Sequence, residues 1–257
     1  MSSIHVERRG PVAVVTIDNP GRKNALSLEM REDLLAGFLG FVADDGVRAV
    51  VLTGAGEAFC SGADVGAMGG RDLAGARVRM KTMHAMIRAV HGLDKPVIAA
   101  VRGAAVGVGF SLAMACDFVI AAPSAKFAQV FKRIGLAPDG GAVWFLTRRM
   151  GLAQAKELVY SARSVGAEEA RTIGLVQQIV PEERLLEVAL QQAGEYAEGP
   201  ALALAMAKQM FAASGSPTLE QFLELELLVQ PALIQTQDHA EGTAAFKEKR
   251  KPVFGGR

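Results

Sequence analysis

The feature that most constrains this chain is a unit that occurs more than once. A short β-branched run leads into a glycine-rich loop, and a helical stretch follows. Residues 47–53 are the first such run, residues 54–70 the Gly- and Ala-rich loop, and residues 73–93 the helical stretch. Lys95-Pro96 breaks that stretch and the unit begins again. Residues 97–101 are a second buried run, 103–109 a second glycine cluster and 110–115 a short helix, and 118–121 open a third unit. Strands too apolar to alternate, separated by helices, are the pattern of a parallel sheet covered on both faces. The chain is therefore predicted to be α/β.

The flanks fit around this repeat. Residues 4–6 and 12–17 read as a hairpin about Arg9-Gly10-Pro11. Ser27 is placed to cap an amphipathic helix over 28–42, with Leu34, Leu35, Phe38, Leu39 and Phe41 on its apolar side. Residues 127–139 read as irregular, and Gly140-Gly141 leads into a helix over 142–150. The last strand signal is at 175–180. From Pro181 onward the pattern is helical, broken at Gly199-Pro200 and at 214–217. This predicts an α/β core over 1–198 and a helical region over 199–257, packed on the core or on another subunit.

Composition removes several function classes. With 28 Lys+Arg against 27 Asp+Glu, the net charge of +1 recruits neither nucleic acid nor an anionic membrane as a whole-molecule effect. Cys60 and Cys116 make no disulfide framework or zinc motif, and His5, His84, His91 and His239 show no metal-like grouping, so no metal is expected. The start of the chain has no apolar run of a secretory signal. The most apolar stretch, 96–122, is interrupted by Arg102, Asp117 and glycines and is a poor membrane span. A cytoplasmic location is expected.

Two glycine loops at the same end of a sheet have two readings. They are tight turns, or they present free N–H groups to one point, as an oxyanion hole requires. Residues 50–56 fail the dinucleotide fingerprint because Phe59 stands at the third glycine position. Gly109-Phe110-Ser111-Leu112-Ala113 is one residue short of a hydrolase elbow and has no strand running directly into it. Asp139, in Leu136-Ala137-Pro138-Asp139-Gly140-Gly141, is either a cap for the following helix or a carboxylate beside a ligand.

The motifs together carry a resemblance. Ala58-Phe59-Cys60-Ser61-Gly62-Ala63-Asp64 resembles the Ala-Phe-Cys/Ser-x-Gly-Ala-Asp signature of the crotonase superfamily, the enoyl-CoA hydratases and isomerases. Asn24-Ala25-Leu26 after Arg22-Lys23, the Lys95-Pro96 strand running to Gly103, Gly107-Val108-Gly109, Ala115-Cys116-Asp117, residues 135–141 and Phe246-Lys247-Glu248-Lys249-Arg250 match in order along the chain. The resemblance implies a superhelix of repeated ββα units with a helical C-terminal assembly region. It also implies an acyl-CoA thioester substrate, with coenzyme A as part of that substrate and no separate cofactor, and a homotrimer or a dimer of trimers.

Carried over residue by residue, it implies an oxyanion hole from the N–H groups of Ala63 and Val108; the family usually has Gly where Val108 stands. Hydratases of the family carry two Glu residues where this chain has Ser111 and Phe131. Water addition needs one group to activate water and one to protonate carbon, which Ser and Phe do not supply. Asp139 matches isomerases of the family that use one Asp to shuttle a proton. The resemblance places CoA near Arg22, Lys23, Ala25, Gly62 and Asp64, with Phe246 and Lys249 reaching the nucleotide of a neighbouring subunit. The acyl pocket is expected to draw on residues 65–68, Met68 among them, and the helix after Leu73, with Ser111, Phe131 and Trp144. The alternatives are a hydratase-like lyase using Asp139, an aryl-CoA dehalogenase with Asp139 as nucleophile and His84 as base, and a non-catalytic CoA-binding homologue.

Overall fold

The structure is a computed structural model and describes residues 2–64, 66 and 72–256. Met68, Val65 and Ala67 of the expected acyl pocket lie outside the described residues. Strand β1 (Ser3–Arg9) pairs antiparallel with β2 (Val12–Asp18), with Arg9 opposite Val12. Helix α1 (Leu28–Val42) begins where Ser27 Oγ accepts the N–H of Met30 at 3.1 Å. A cap of this kind is worth about 1 kcal/mol. Its buried stripe is Met30, Arg31, Leu34, Phe38 and Phe41. Leu39 is 56% exposed, against expectation, because one residue past Phe38 turns the side chain about 100° away.

Next come β3 (Ala49–Gly54), α2 (Leu73–His91), β4 (Val97–Val101), β5 (Ala104–Val106), α3 (Val108–Ala115), β6 (Phe118–Ala121) and β7 (Lys126–Ala128). They are followed by α4 (Ala142–Met150), α5 (Leu152–Ser161), β8 (Ser164–Gly166), α6 (Ala167–Thr172), β9 (Gln178–Ile179), α7 (Leu185–Ala197), α8 (Ala201–Ala213), α9 (Leu219–Ile234) and α10 (Gln237–Glu248). Among the described residues the strands form two sheets. The larger has the order β1-β2-β3-β4-β6-β9 and is parallel beyond the first hairpin; the smaller has the order β5-β7-β8.

The repeat is thus ββα. Each unit places one strand in the large sheet and a short piece in the small one, then a helix: β4-β5-α3, then β6-β7 and α4. In the first unit Cys60 supplies the short piece, bridged in parallel to Ala105. The sequence pattern places only a loop at 103–109 and only irregular chain at 127–139. The structure puts β5 in the first, and in the second most of β7 with the 3-10 turn Phe131–Ile134. Three-residue strands are too short to show a period, which is why these two escape the pattern.

Alternation along the large sheet divides the core. Val50, Leu52, Val97, Ala99 and Val101 face α1, α2 and α3, whereas Val51, Ile98, Ala100 and Ile120 face Leu185, Ala189, Ala193 and Ala197 of α7. The alanine ladder lets α7 approach the sheet closely. The C-terminal helices are tied to the α/β part by polar contacts: Arg48 donates to Gly199 O at 2.8 Å, Lys208 pairs with Asp117 at 2.8 Å, and Gln209 donates to Asp94 at 2.8 Å.

Candidate active site

The segment from Ala58 to Asp64 is threaded between the loop before α1 and strand β5. Cys60 N donates to Ala104 O and Val106 N to Cys60 O on one side; Leu26 N donates to Gly62 O and Asp64 N to Leu26 O on the other. Because Leu26 bridges the residues either side of Ala63, the Ala63 N–H has no acceptor among the described residues. Val108 is the first residue of α3, so its N–H is one of the four that a helix leaves unpaired. The loops meet here: Gly62 has φ +110°, and a Cβ on it would lie 3.0 Å from Val106 O and 3.9 Å from Val108 N. Two free donors, one at the positive end of a helix, favour a developing negative charge.

Asp139 comes to the same place from another element. It is not the cap of α4: Gly141 holds that position and no side chain caps it. The Asp139 carboxylate oxygen Oδ1 is buried and has no hydrogen-bond partner among the described residues. Its main-chain oxygen accepts from Ser111 Oγ at 2.9 Å and from Ala142 N at 3.2 Å. Next to it, Gly140 has φ +61°, and a Cβ there would lie 3.0 Å from Ser111 Cβ and 3.2 Å from Val108 Cγ2. The loop of Asp139 therefore rests on the first turn of α3. Burial pushes the Asp139 carboxyl above its ordinary range, while Arg31, His84 and Arg79 pull it back down.

Arg31 is the residue that motif reading misses. It is 2% exposed on the inner face of α1. Its Nη2 donates to Leu26 O at 3.3 Å, and its Nε is buried without a partner among the described residues. Burial lowers its pKa, as does Arg79; Asp139, Cys60 and Asp64 oppose this. Such a cation would be expensive without a nearby anion. The signal is in the sequence: Arg31 lies three residues before Leu34, on the stripe that the apolar residues define.

Of the residues expected around CoA, the structure brings five together. Arg22 pairs with Asp64 at 2.6 Å, and Asp64 accepts from Gly66 N at 3.1 Å. Ser61 ties to Arg22 O and Lys23 O, Ala25 is buried beside them, and Gly62 bonds to Leu26. Asn24, buried, holds this loop by donating to Ala55 O and Ala58 O at 2.8 and 2.6 Å. Phe246 and Lys249 lie elsewhere. Phe246 is 86% exposed beside the groove between α8, α9 and α10, and Lys249 ends α10 in the left-handed region. Within one chain no described hydrogen bond or ion pair joins them to Arg22 or Lys23.

The expected pocket residues divide as well. Phe131 is buried with its ring against Gly107. Ser111 is sealed, with its hydroxyl on Asp139 O rather than turned to a ligand. Trp144 points elsewhere: its ring packs on His91 and Phe145, under the Arg148 guanidinium at 3.8 Å, in a groove closed by α8. It is not brought to Asp139. His84 is exposed on α2. The Cys60 thiol is pushed up to about 12 by burial, so it is not a nucleophile at neutral pH.

Comparison with known proteins decides the family. Residues 7–257 match the family model described as enoyl-CoA hydratase/isomerase. The chain belongs to this family. It is a member of the crotonase superfamily and an acyl-CoA enzyme by that membership. It is 42% identical to a Rhodobacter capsulatus protein named "Probable enoyl-CoA hydratase", over 99% of this chain and 98% of that one. It is 37% identical to the 1,2-epoxyphenylacetyl-CoA isomerase of Escherichia coli, over 98% and 97%. The crystal structure of an enoyl-CoA hydratase from Polaromonas sp. JS666 superposes with a TM-score of 0.94 at 34% identity, covering 98% of this chain and 99% of that one. The crotonase fold is thereby shown, and the relatives' names span hydration and isomerisation. No helix among the described residues is long and apolar enough to cross a membrane.

Proposed function

We propose that this family member is an enoyl-CoA isomerase with Asp139 as its single acid/base. The Ala63 and Val108 N–H groups hold the thioester oxygen. Asp139 takes a proton from one carbon of the acyl chain, the electron pair passes into a dienolate whose charge rests on that oxygen, and the proton returns to a carbon further along the conjugated system. The double bond moves, and nothing is added or lost. One carboxylate suffices for this. The observation that carries the reading is the buried Asp139 oxygen, without a partner among the described residues, beside the first turn of α3, with Ser111 and Phe131 where the resemblance puts the two hydratase carboxylates. Burial raises the Asp139 pKa, which makes the carboxylate a stronger base toward the carbon proton.

Arg22, Lys23, Ala25, Gly62 and Asp64 are proposed to receive the CoA moiety. Phe246 and Lys249 of a neighbouring copy are proposed to cover it, with residues 199–257 as the assembly region of a homotrimer or a dimer of trimers. The test is a panel of 3-enoyl-, 2-enoyl- and aryl-CoA thioesters assayed for double-bond shift, hydration and halide release. Wild-type protein is expected to shift the double bond, and Asp139→Asn to lose about 10²–10⁴-fold in kcat while still binding a saturated acyl-CoA. A protein that only hydrates, only releases halide or turns over nothing contradicts the reading.

A further inference from the structure

We propose that Ser111 is a positioning residue for Asp139: its hydroxyl fixes the main chain of the carboxylate's loop on the helix turn that supplies the Val108 N–H. The inference rests on the reading of Asp139 as acid/base. A serine inside a helix ordinarily turns its hydroxyl back onto the carbonyl four residues earlier. Here that carbonyl, Gly107 O, already receives Ser111 N at 3.1 Å, and the hydroxyl lies 3.3 Å from it. The shorter bond, 2.9 Å, crosses to Asp139 O. A hydroxyl has one proton, and the shorter distance assigns it to Asp139 O rather than Gly107 O.

The geometry makes this bond matter. Among the described residues the Asp139 Oδ1 atom has no partner, so no hydrogen bond from them on that oxygen fixes the carboxylate. Its place is set by the backbone that carries it. Two donors fix the Asp139 carbonyl, Ser111 Oγ from α3 and Ala142 N from α4. Gly140 presses against Ser111 Cβ and Val108 Cγ2 at the same point. Ser111 is fully buried, so water does not compete for its hydroxyl. One oxygen thereby couples the acid/base to the oxyanion donor. A displacement of about 1 Å between such groups costs about 10²-fold in rate. Ser111 itself does not touch the reacting atoms.

A double-mutant cycle on the full chain tests this. Ser111→Ala is expected to lower kcat about 10- to 100-fold with little change in KM or in the Kd of a saturated acyl-CoA. Ser111→Cys, nearly isosteric and a weaker donor, is expected to fall between Ser and Ala. Because the effect acts through Asp139, Ser111→Ala is expected to lower the residual rate of Asp139→Asn no further. An unchanged kcat in both Ser111 variants overturns the proposal, as does a loss of equal size in the Asp139→Asn background. Full turnover by Asp139→Asn alone would instead overturn the acid/base reading on which it rests.

Discussion

The chemistry of Asp139 is set by a balance between burial and charge. Burial disfavours the carboxylate, and Arg31 is the largest opposing influence. On the proposed reading Asp139 is a base in its ionised form, so activity is expected to fall as pH drops through its pKa. Arg31 stabilises that form and therefore holds the acidic limb of the pH profile down. Arg31→Met removes the charge at similar bulk and is expected to move the limb to higher pH, whereas Arg31→Lys is expected to leave it near the wild-type position. A limb that stays in place in Arg31→Met would show that Arg31 serves only to hold Leu26 O. Motif reading locates Asp139 but leaves its cap role open. Only the structure shows Gly141 at the cap and Oδ1 without a partner among the described residues. Arg31 escapes because a charged residue on an apolar stripe has no motif, only a position.

Among the elements, what could be read depended on length. The hairpin, α1 with its Ser27 cap, β3, β4 and the break at Lys95-Pro96 follow from patterns several residues long. Strands β5, β7 and β8 are too short to alternate, and they are held by contacts distant in sequence, such as Ala104 beside Lys126 and Phe127 beside Val165. These small-sheet strands place Gly107 and the α3 N-terminus, so the site depends on elements the pattern does not show. The loop that returns to α3 is equally constrained. At Gly140 an alanine would need φ +61° and would set its Cβ 3.0 Å from Ser111. Left-handed backbone costs a residue with a Cβ roughly 1–2 kcal/mol before that contact is counted. Gly140→Ala is therefore expected to destabilise the fold by at least about 1 kcal/mol in urea denaturation and to lower kcat with it. Unchanged stability would mean that the loop has another conformation open to it.

At the scale of the molecule, the C-terminal helices leave apolar surface without a partner. Phe211 of α8 and Leu219, Leu223, Leu227, Leu228 and Ile234 of α9 are all exposed. A monomer seldom shows contiguous apolar surface beyond a few hundred Å², so self-association is expected; the homotrimer or dimer of trimers is the assembly that the resemblance implies. Sedimentation equilibrium tests it; a monomer at micromolar concentration contradicts it. The strand–loop–helix repeat was legible because glycine punctuates it, whereas the placement of Trp144 was not. Its side chain faces α8, which is remote in sequence. The reaction itself is most directly tested by NMR of a 3-enoyl-CoA in deuterated buffer. The wild-type protein is expected to give the conjugated 2-enoyl-CoA without a hydroxyacyl product, and Asp139→Asn to slow that conversion about 10²–10⁴-fold while binding a saturated acyl-CoA normally. Formation of a 3-hydroxyacyl-CoA with no double-bond shift, or full isomerisation by Asp139→Asn, would contradict it.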